Sequence, residues 1–310
     1  MEKDSRIYVA GHTGLIGSAI FKVLEREGYN PFGVVHSDCE LIFWPDVDHL
    51  FKYRKPEYVF LCAAKVGGIG ANISSPADFI ENNLMIQSNI MNAACKYGVK
   101  KLLFLGSSCI YPRDCPQPIK EEYLMSGPLE PTNDAYAIAK IAGIKMAQAY
   151  RRQYGCNFIS AMPTNLYGPN DNYNLKTCHV LPALIRRFHE AKIAEDKCVT
   201  LWGTGIPKRE FLYSEDCAEA CVMLMEKYDS EEIINIGYGN DYSILDISVV
   251  ISSVVGFQGQ INFDPTKPDG TERKLLDSSK IRNLGWYPKT ILFDGIKKTY
   301  ESFLNGECRL

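Results

Sequence analysis

The sequence predicts an α/β protein whose first part is a Rossmann-type, doubly wound parallel sheet, followed by a smaller C-terminal region. Three observations predict this class. Apolar runs alternate with helical stretches over the first 160 residues, several runs are continuously apolar, and a glycine-rich turn follows the first run. Continuous apolar runs are typical of strands that helices cover on both faces, and their alternation with helices is typical of a parallel sheet.

The predicted strands and helices alternate along the chain. The strands are Ile7–Ala10, Pro31–Val35, Tyr58–Cys62, Leu102–Leu105 and Phe158–Met162, and the helices run from the glycine-rich turn to about Gly28, over Pro76–Tyr97 and over Asp134–Tyr154. After Pro163 the loops lengthen and carry Pro, Gly and Asn, and shorter elements follow. We therefore predict a Rossmann domain over residues 1–165 and a smaller region over 166–310, with the chain crossing between the two lobes.

The composition is that of an ordinary globular chain. Among 310 residues, 34 basic and 37 acidic side chains give a formal net charge of −3. This balance offers no basic surface for nucleic acid or an anionic membrane, and no apolar run has the length of a membrane-spanning helix. We expect neither partner, and because Met1–Arg6 are polar we expect no signal peptide.

The eleven cysteines are scattered along the chain and form no CxxC pair. Pairs at that spacing are typical of zinc or thiol–disulfide sites, so we expect no metal site. Several cysteines, such as Cys62, Cys95 and Cys221, lie in apolar runs. This favours reduced, buried thiols in a cytoplasmic protein.

A glycine-rich turn, Gly11-His12-Thr13-Gly14-Leu15-Ile16-Gly17, joins the first strand to the first helix. Glycines let the backbone approach a pyrophosphate, and a helix N-terminus offers unpaired N–H groups and a positive dipole. Glycines also make tight turns without a ligand, but this position favours a dinucleotide site. The expected cofactor contacts in the turn are Gly11, Thr13, Gly14, Leu15, Ile16 and Gly17.

The residues after the second strand bear on the choice between NAD and NADP. NAD sites usually place an acidic side chain there for the ribose 2′-hydroxyl. Here His36 and Ser37 come first, and Asp38 follows one or two positions late. Because a neutral or basic group tolerates a 2′-phosphate, the sequence favours NADP (as NADPH), with His36 near the phosphate and NAD as the alternative.

Tyr136 and Lys140 lie one turn apart on the predicted helix 134–154, which places both on one face. We expect the ammonium to lower the phenol pKa, so that the phenol can exchange a proton with a carbonyl or an alcohol. Such pairs also occur by chance on exposed helices. Ser107, however, follows a predicted strand at the sheet edge where α/β proteins bind ligands, so we predict that Ser107, Tyr136 and Lys140 are catalytic.

Longer runs of residues make a family resemblance specific. They are Ala63–Ile69, Leu105–Pro112, Glu130–Asn133, Tyr136–Gly143, Met162–Pro169, Arg209–Leu212 and Lys267–Thr271. The sequence resembles the extended short-chain dehydrogenase/reductase family and, within it, the GDP-L-fucose synthases. The resemblance implies NADPH-dependent conversion of GDP-4-keto-6-deoxy-D-mannose to GDP-L-fucose by 3,5-epimerisation and C4 reduction.

The resemblance also implies that Cys109 and His179 are the acid/base pair of epimerisation. The chemistry suits them, because a C4 ketone acidifies the protons on C3 and C5, and thiols and imidazoles exchange protons near neutral pH. The residues alone leave Cys109 open as a structural thiol. They equally leave His179 open as an ordinary surface or core histidine.

Further ligand contacts are implied by the same resemblance. For the cofactor they are Ala63, Lys140, Pro163, Asn165, Leu166 and His179, and for the GDP-sugar they are Ser108, Arg187, Trp202, Arg209 and Asp269. Arginine suits a diphosphate and tryptophan can pack on a ring; the neighbouring Arg186 suits a solvated helix face. A homodimer through the helices at 76–97 and 134–154 is implied as well.

Two departures from the family concern the cofactor. Relatives often carry Arg at the position of Thr13 and basic residues at positions 36–38, so we predict a weaker preference for NADPH than is usual. Two other activities also fit the residues. One is C4 reduction alone, on a related GDP-4-keto-6-deoxy sugar such as a heptose, and the other is 4-epimerisation by an enzyme that retains NAD.

Overall fold

The structure, a computed structural model, describes residues 1–267 and 269–309. Pro268, in the run Lys267–Thr271, lies outside the described residues. The strands are β1 (Ile7–Ala10), β2 (Pro31–Phe32), β3 (Tyr58–Leu61), β4 (Lys101–Leu105), β5 (Phe158–Pro163), β6 (Asn165–Tyr167), β7 (Cys198–Trp202), β8 (Lys208–Tyr213), β9 (Ile234–Ile236), β10 (Asp241–Ser243), β11 (Gln260–Asp264) and β12 (Arg273–Lys274). The helices are α1 (Leu15–Arg26), α2 (Trp44–Arg54), α3 (Ile69–Ser74), α4 (Pro76–Lys96), α5 (Asp134–Tyr154), α6 (Val180–Ile193), α7 (Ser214–Lys227), α8 (Ile244–Val255), α9 (Ser279–Asn283) and α10 (Leu292–Leu304).

Six strands form a parallel sheet in the order β2-β1-β3-β4-β5-β9. The strand order reverses at β1, since β2 lies on one side of it and β3 on the other. In such folds the crevice outside the carboxyl ends of the strands at the reversal binds ligands. The predicted Rossmann-type α/β class is confirmed.

Helices cover both faces of this sheet. On one face α1 and α7 bury side chains such as Ile20 and Cys221. On the other face α2, α4 and α5 bury side chains such as Phe51, Ile90 and Ile144. Burial of one such large apolar side chain stabilises the fold by about 1.5–3 kcal/mol relative to exposure.

The second strand is the element whose length differs most from the prediction, and the other predicted bounds differ by no more than two residues. We predicted Pro31–Val35, but β2 ends at Phe32. Gly33 lies directly against the His12 ring, and a Cβ at Gly33 would lie only 2.1 Å from the ring's Cγ. Beyond this contact the backbone N–H groups of Asp38 and Cys39 bond to the Val35 carbonyl, which turns the chain away from the sheet.

The residues after β5 build a smaller lobe with its own core. Strand β8 pairs with β6, β10 and β12, and β7 pairs with β11. Helices α6, α8 and α10 bury Leu184, Ile251 and Ile296 beside these strands. Strand β9 nevertheless belongs to the main sheet, and the boundary at residue 165 stays a prediction. Within residues 1–267 and 269–309, no helix is both long and apolar enough to cross a membrane.

Candidate active site

The glycine-rich turn forms a tight cradle at the carboxyl ends of β1 and β3. Gly11 has a φ of +84°, and a Cβ there would lie 2.8 Å from the backbone nitrogen of Ala63. A Cβ at Gly17 would lie 2.0 Å from the Gly11 carbonyl oxygen. Side chains at these two positions would collide with backbone, so only glycine allows the turn, the helix and the exit of β3 to come this close.

Helix α1 begins at this turn with its first N–H groups uncapped by any side chain. Its N-cap residue is Gly14, and the N–H of Gly14 itself donates to the Gly11 carbonyl at 3.0 Å. Leu15 and Ile16 follow in the first turn, and Thr13 is exposed beside them. Uncapped N–H groups and the helix dipole bind anions. The cradle therefore fits the pyrophosphate of a nicotinamide dinucleotide.

The loop after β2 carries one histidine among acidic side chains. His36 is exposed, and its Nε2 lies 2.9 Å from a carboxylate oxygen of Glu40. Ser37 donates to the carboxylate of Asp38 at 3.1 Å. A 2′-phosphate at this loop would compete with Glu40 for the imidazole, and Asp38 would repel it.

The predicted catalytic group comes together at the end of β4. Lys140 is buried on α5 and donates from Nζ to the Leu105 carbonyl at 2.9 Å, and Nζ lies 5.8 Å from the centroid of the Tyr136 ring. Burial lowers the pKa of Lys140 from 10.5 to about 8. Ser107 follows β4, and its hydroxyl is close enough to the Tyr136 phenol to lower the phenol pKa.

The expected effect of the ammonium on the phenol is wrong. Burial raises the pKa of Tyr136, the nearby Cys109 thiol acts in the same direction, and only the Ser107 hydroxyl opposes them. Desolvation penalises a phenolate more strongly than a charge at the distance of Lys140 favours it. The phenol is therefore held in its protonated, proton-donating form.

Cys109 lies beside this group, on the short turn Ser108–Ile110. Its backbone N–H donates to Ser107 Oγ at 3.2 Å, and its Sγ accepts from the side-chain amide of Asn133 at 3.3 Å. Ser108, expected to contact the substrate, is only 3% exposed. The structure thus brings Cys109 and the Ser107–Tyr136 pair into one site.

His179 lies in the smaller lobe as the N-cap residue of α6. Its side chain is partly open to solvent. The surrounding protein nevertheless excludes some water from the imidazole, and this desolvation lowers its pKa. The preceding residues pack on the first lobe, where the Gly68 N–H donates to the Thr177 carbonyl at 2.8 Å. Phe79 packs beside this contact and edge-on to Tyr136, with 6.4 Å between ring centroids.

The two neighbouring arginines on α6 differ in their contacts. Arg186 binds Glu190 at 2.7 Å and the Tyr173 carbonyl at 2.9 Å. Arg187 makes no hydrogen bond or ion pair with any other residue of 1–267 and 269–309. This leaves the Arg187 guanidinium available for an anionic ligand, and its contact with the substrate stays a prediction.

The remaining predicted substrate residues surround β8 and the end of β7. Burial lowers the pKa of Arg209, while Cys109, Glu130 and Asp269 act in the opposite direction from close by. Both carboxylate oxygens of Asp269 accept from Thr204, at 2.7 and 2.8 Å, so this side chain holds the loop after β7. Trp202, at the end of β7, is 63% exposed.

The residues predicted to line the nicotinamide end lie where β5 passes into β6. Pro163 is buried at the end of β5, and Asn165 donates from its side chain to the Glu210 carbonyl at 2.8 Å. Leu166 packs on the core beneath α1 and α7. Like Gly11 and Ser107, these residues lie at the carboxyl edge of the main sheet. Among the described residues, no cluster of His, Cys, Asp or Glu could hold a metal ion.

Known proteins are similar to this chain over nearly its whole length. The profile described as "NAD dependent epimerase/dehydratase family" matches residues 7–237. The chain belongs to this family. Within it, the chain is 54% identical over 308 residues to GDP-L-fucose synthase 1 of Arabidopsis thaliana, an alignment that covers 99% of this chain and 95% of that protein.

Two solved structures of family members are similar to the chain in both lobes. A crystal structure of a GDP-6-OMe-4-keto-L-xylo-heptose reductase from C. jejuni has a TM-score of 0.94 at 38% identity and covers 99% of each chain. A crystal structure of a GDP-L-fucose synthetase from Naegleria fowleri bound to NADP has a TM-score of 0.92 at 31% identity, covering 99% of this chain and 96% of that one.

Two residues of this family site were not singled out from the sequence. Asn133 touches Cys109, and the only signal for it was its place in the run Glu130–Asn133. Glu210 is fully buried, and its carboxylate accepts from the backbone of Gly239 at 2.6 Å and of Leu276 at 3.0 Å. Glu210 stands between Arg209 and Phe211, and this local sequence gives no signal that a carboxylate would be so buried.

Proposed function

We propose that this chain is an NADPH-dependent epimerase/reductase that converts GDP-4-keto-6-deoxy-D-mannose to GDP-L-fucose. Its 54% identity to a GDP-L-fucose synthase over 99% of the chain supports the substrate. The observation that carries the chemistry is Cys109, whose backbone bonds to Ser107 at 3.2 Å. A thiol that exchanges protons beside the reductase hydroxyls has a role in epimerisation. Hydride transfer alone does not require such a thiol.

Reduction uses the Ser107–Tyr136–Lys140 group. When bound, NADPH supplies the hydride to C4, and the chain fits its pyrophosphate at the glycine cradle. Tyr136 donates a proton to the C4 oxygen, oriented by Ser107. Lys140 is protonated below about pH 8, and its charge offsets the negative charge that develops on the phenol oxygen.

Epimerisation precedes reduction, because it needs the C4 ketone. A proton leaves C3 or C5, the electrons of the C–H bond move onto the C4 oxygen, and a proton returns to the opposite face of the carbon. Cys109 and His179 are the two groups that exchange these protons. The lowered pKa of His179 leaves the imidazole neutral and able to accept a proton at pH 7.

Two arginines are suited to the GDP diphosphate. Arg187 has no described protein partner, and Arg209 is desolvated near Cys109. Charge-assisted contacts from guanidinium groups to phosphate are stronger than neutral hydrogen bonds, and more so in a desolvated site. Trp202 is exposed at the edge of the same lobe, where its ring can pack on the ligand.

Solvent exchange tests the epimerase half without reduction. With NADP⁺ in place of NADPH in D₂O, the protein should wash deuterium into C3 and C5 of GDP-4-keto-6-deoxymannose. Cys109→Ala and His179→Ala should each slow the exchange by about 10²–10⁴-fold. Cys198→Ala, an exposed thiol on β7, is the matched control and should exchange like the parent. Absence of exchange in the parent would refute epimerisation.

C4 reduction alone is the second candidate. The similarity to a GDP-6-OMe-4-keto-L-xylo-heptose reductase, with a TM-score of 0.94, favours it. That activity would appear as NADPH oxidation with a GDP-4-keto sugar and no deuterium at C3 or C5. NADPH oxidation in step with exchange would favour the first proposal.

We further propose a cytoplasmic homodimer that pairs α4 and α5 of two copies. Met85 on α4 and Ile138 on α5 are 40% and 47% exposed, so the two helices offer apolar side chains to a partner. The eleven cysteines are all free, which suits a reducing compartment. Sedimentation of the parent and of Ile138→Glu tests the dimer, which the charge should dissociate.

A further inference from the structure

Asn133 occupies a helix-capping position and does not cap the helix. It is the N-cap residue of α5, with φ −145° and ψ 21°, and its side chain makes no capping hydrogen bond. Asparagine at this position commonly accepts from the N–H groups of the first turn, which stabilises the helix. A side chain that leaves this bond unmade at the start of the helix bearing Tyr136 serves another contact.

That contact is the sulfur of Cys109. The Asn133 amide donates to Sγ at 3.3 Å, and its Oδ1 has no hydrogen-bond partner among the described residues. A donor hydrogen bond to sulfur favours the charged thiolate over the neutral thiol. It also limits rotation of the thiol, so that the sulfur keeps one direction within the site.

Other groups that face Cys109 come from two neighbouring elements. Arg209 approaches from β8 and Tyr136 from α5. Arg209 also faces the carboxylates of Glu130 and Asp269, so its charge interacts with these two groups as well as with the thiol. Among the described residues the Asn133 side chain makes no hydrogen bond except the one to sulfur, and this makes it the group dedicated to the thiol.

We propose that Asn133 is a positioning residue that holds the Cys109 sulfur in one direction for proton exchange at the sugar ring. The helix cap is given up for this contact. The proposal rests on the proposed function for the identity of the substrate, but the state of the thiol can be measured without any substrate.

Alkylation of the thiol by iodoacetamide is the direct test. Asn133→Asp and Asn133→Ser can both cap α5, but the carboxylate cannot donate to sulfur and the shorter serine hydroxyl does not reach it. At pH 7.5 we expect alkylation of Cys109, followed by mass spectrometry of its peptide, to slow about tenfold in Asn133→Asp and several-fold in Asn133→Ser. Alkylation of the exposed Cys198 should not change, and the melting temperature should stay level or rise.

Two further variants separate positioning from folding. Asn82→Asp is the matched control on α4 and should leave Cys109 alkylation unchanged. Asn133→Gln, which keeps an amide donor, should recover part of the alkylation rate. Unchanged or faster alkylation of Cys109 in both Asn133→Asp and Asn133→Ser would overturn the proposal.

The exchange assay in D₂O distinguishes the two proposals. If the parent exchanges at C3 and C5 and both Asn133 variants slow exchange about tenfold, positioning is supported. If the parent exchanges and both variants match it in exchange and in alkylation, the positioning role is wrong and the proposed function stands. If the parent does not exchange while alkylation still depends on Asn133, the proposed function is wrong and the positioning role stands.

Discussion

Replacement of Asp171 by Asn should make the free energy of unfolding, relative to that of the parent, higher at pH 8 than at pH 4.5. The carboxyl is 2% exposed in the loop that leads to His179. One oxygen accepts from the Asn172 N–H at 2.7 Å, and the other has no hydrogen-bond partner among the described residues. Burial raises the pKa of Asp171 from 3.8 to about 7, against the Asn172 N–H and the Arg309 charge.

The sign and size of the effect follow from this pKa. Because the pKa is higher in the folded protein than in the unfolded chain, folding favours the protonated carboxyl. The contribution of Asp171 to stability is present below about pH 4 and is lost as pH rises to about 7. Each pKa unit corresponds to about 1.4 kcal/mol, so the loss above pH 7 is on the order of 2–4 kcal/mol. Asparagine does not ionise, so the Asp171→Asn protein does not lose this stability as the pH rises.

Guanidinium unfolding followed by tryptophan fluorescence measures the free energy of unfolding of the parent and of Asp171→Asn at pH 4.5, 6 and 8. The free energy of unfolding of Asp171→Asn minus that of the parent should increase by about 2–4 kcal/mol from pH 4.5 to pH 8. A constant offset from the new amide does not affect this slope. Asp4→Asn, at an exposed position, is the control and should show no slope. A difference that stays constant or shrinks with pH would refute the reasoning.

Three other predictions concern the site. Tyr136→Phe should fold and bind cofactor but reduce the ketone about 10²–10⁴-fold more slowly; turnover within a few-fold of the parent would contradict its role. Arg209→Ala should raise KM for the GDP-sugar about 10- to 100-fold while the Kd for NADPH stays the same; an unchanged KM would make Arg209 structural. His36→Ala should weaken binding of NADPH more than binding of NADH in fluorescence titrations, because the imidazole can contact the 2′-phosphate in competition with Glu40, 2.9 Å away. Equal weakening of both cofactors would point to other cations.

Parts of the candidate site could be predicted from the sequence because they depend on residues that are close together along the chain. Tyr136 and Lys140 share a face of α5 through helical periodicity alone, and Ser107 follows a strand whose carboxyl end must lie at the crevice. The pKa of Tyr136 was not accessible in this way. It depends on how much of the surrounding protein excludes water, and the sequence expectation failed at that point.

The sequence by itself determined the fold class, the bounds of α5 and the tight turn at Gly11. Each depends on residues that are neighbours along the chain, through periodicity, uniform apolar runs or the absence of a Cβ. Only the tertiary structure decided that β2 ends where Gly33 meets His12 and that Asn133 turns from its helix to Cys109. These outcomes depend on contacts between segments distant in sequence, whose energies exceed the local preferences that a sequence reports.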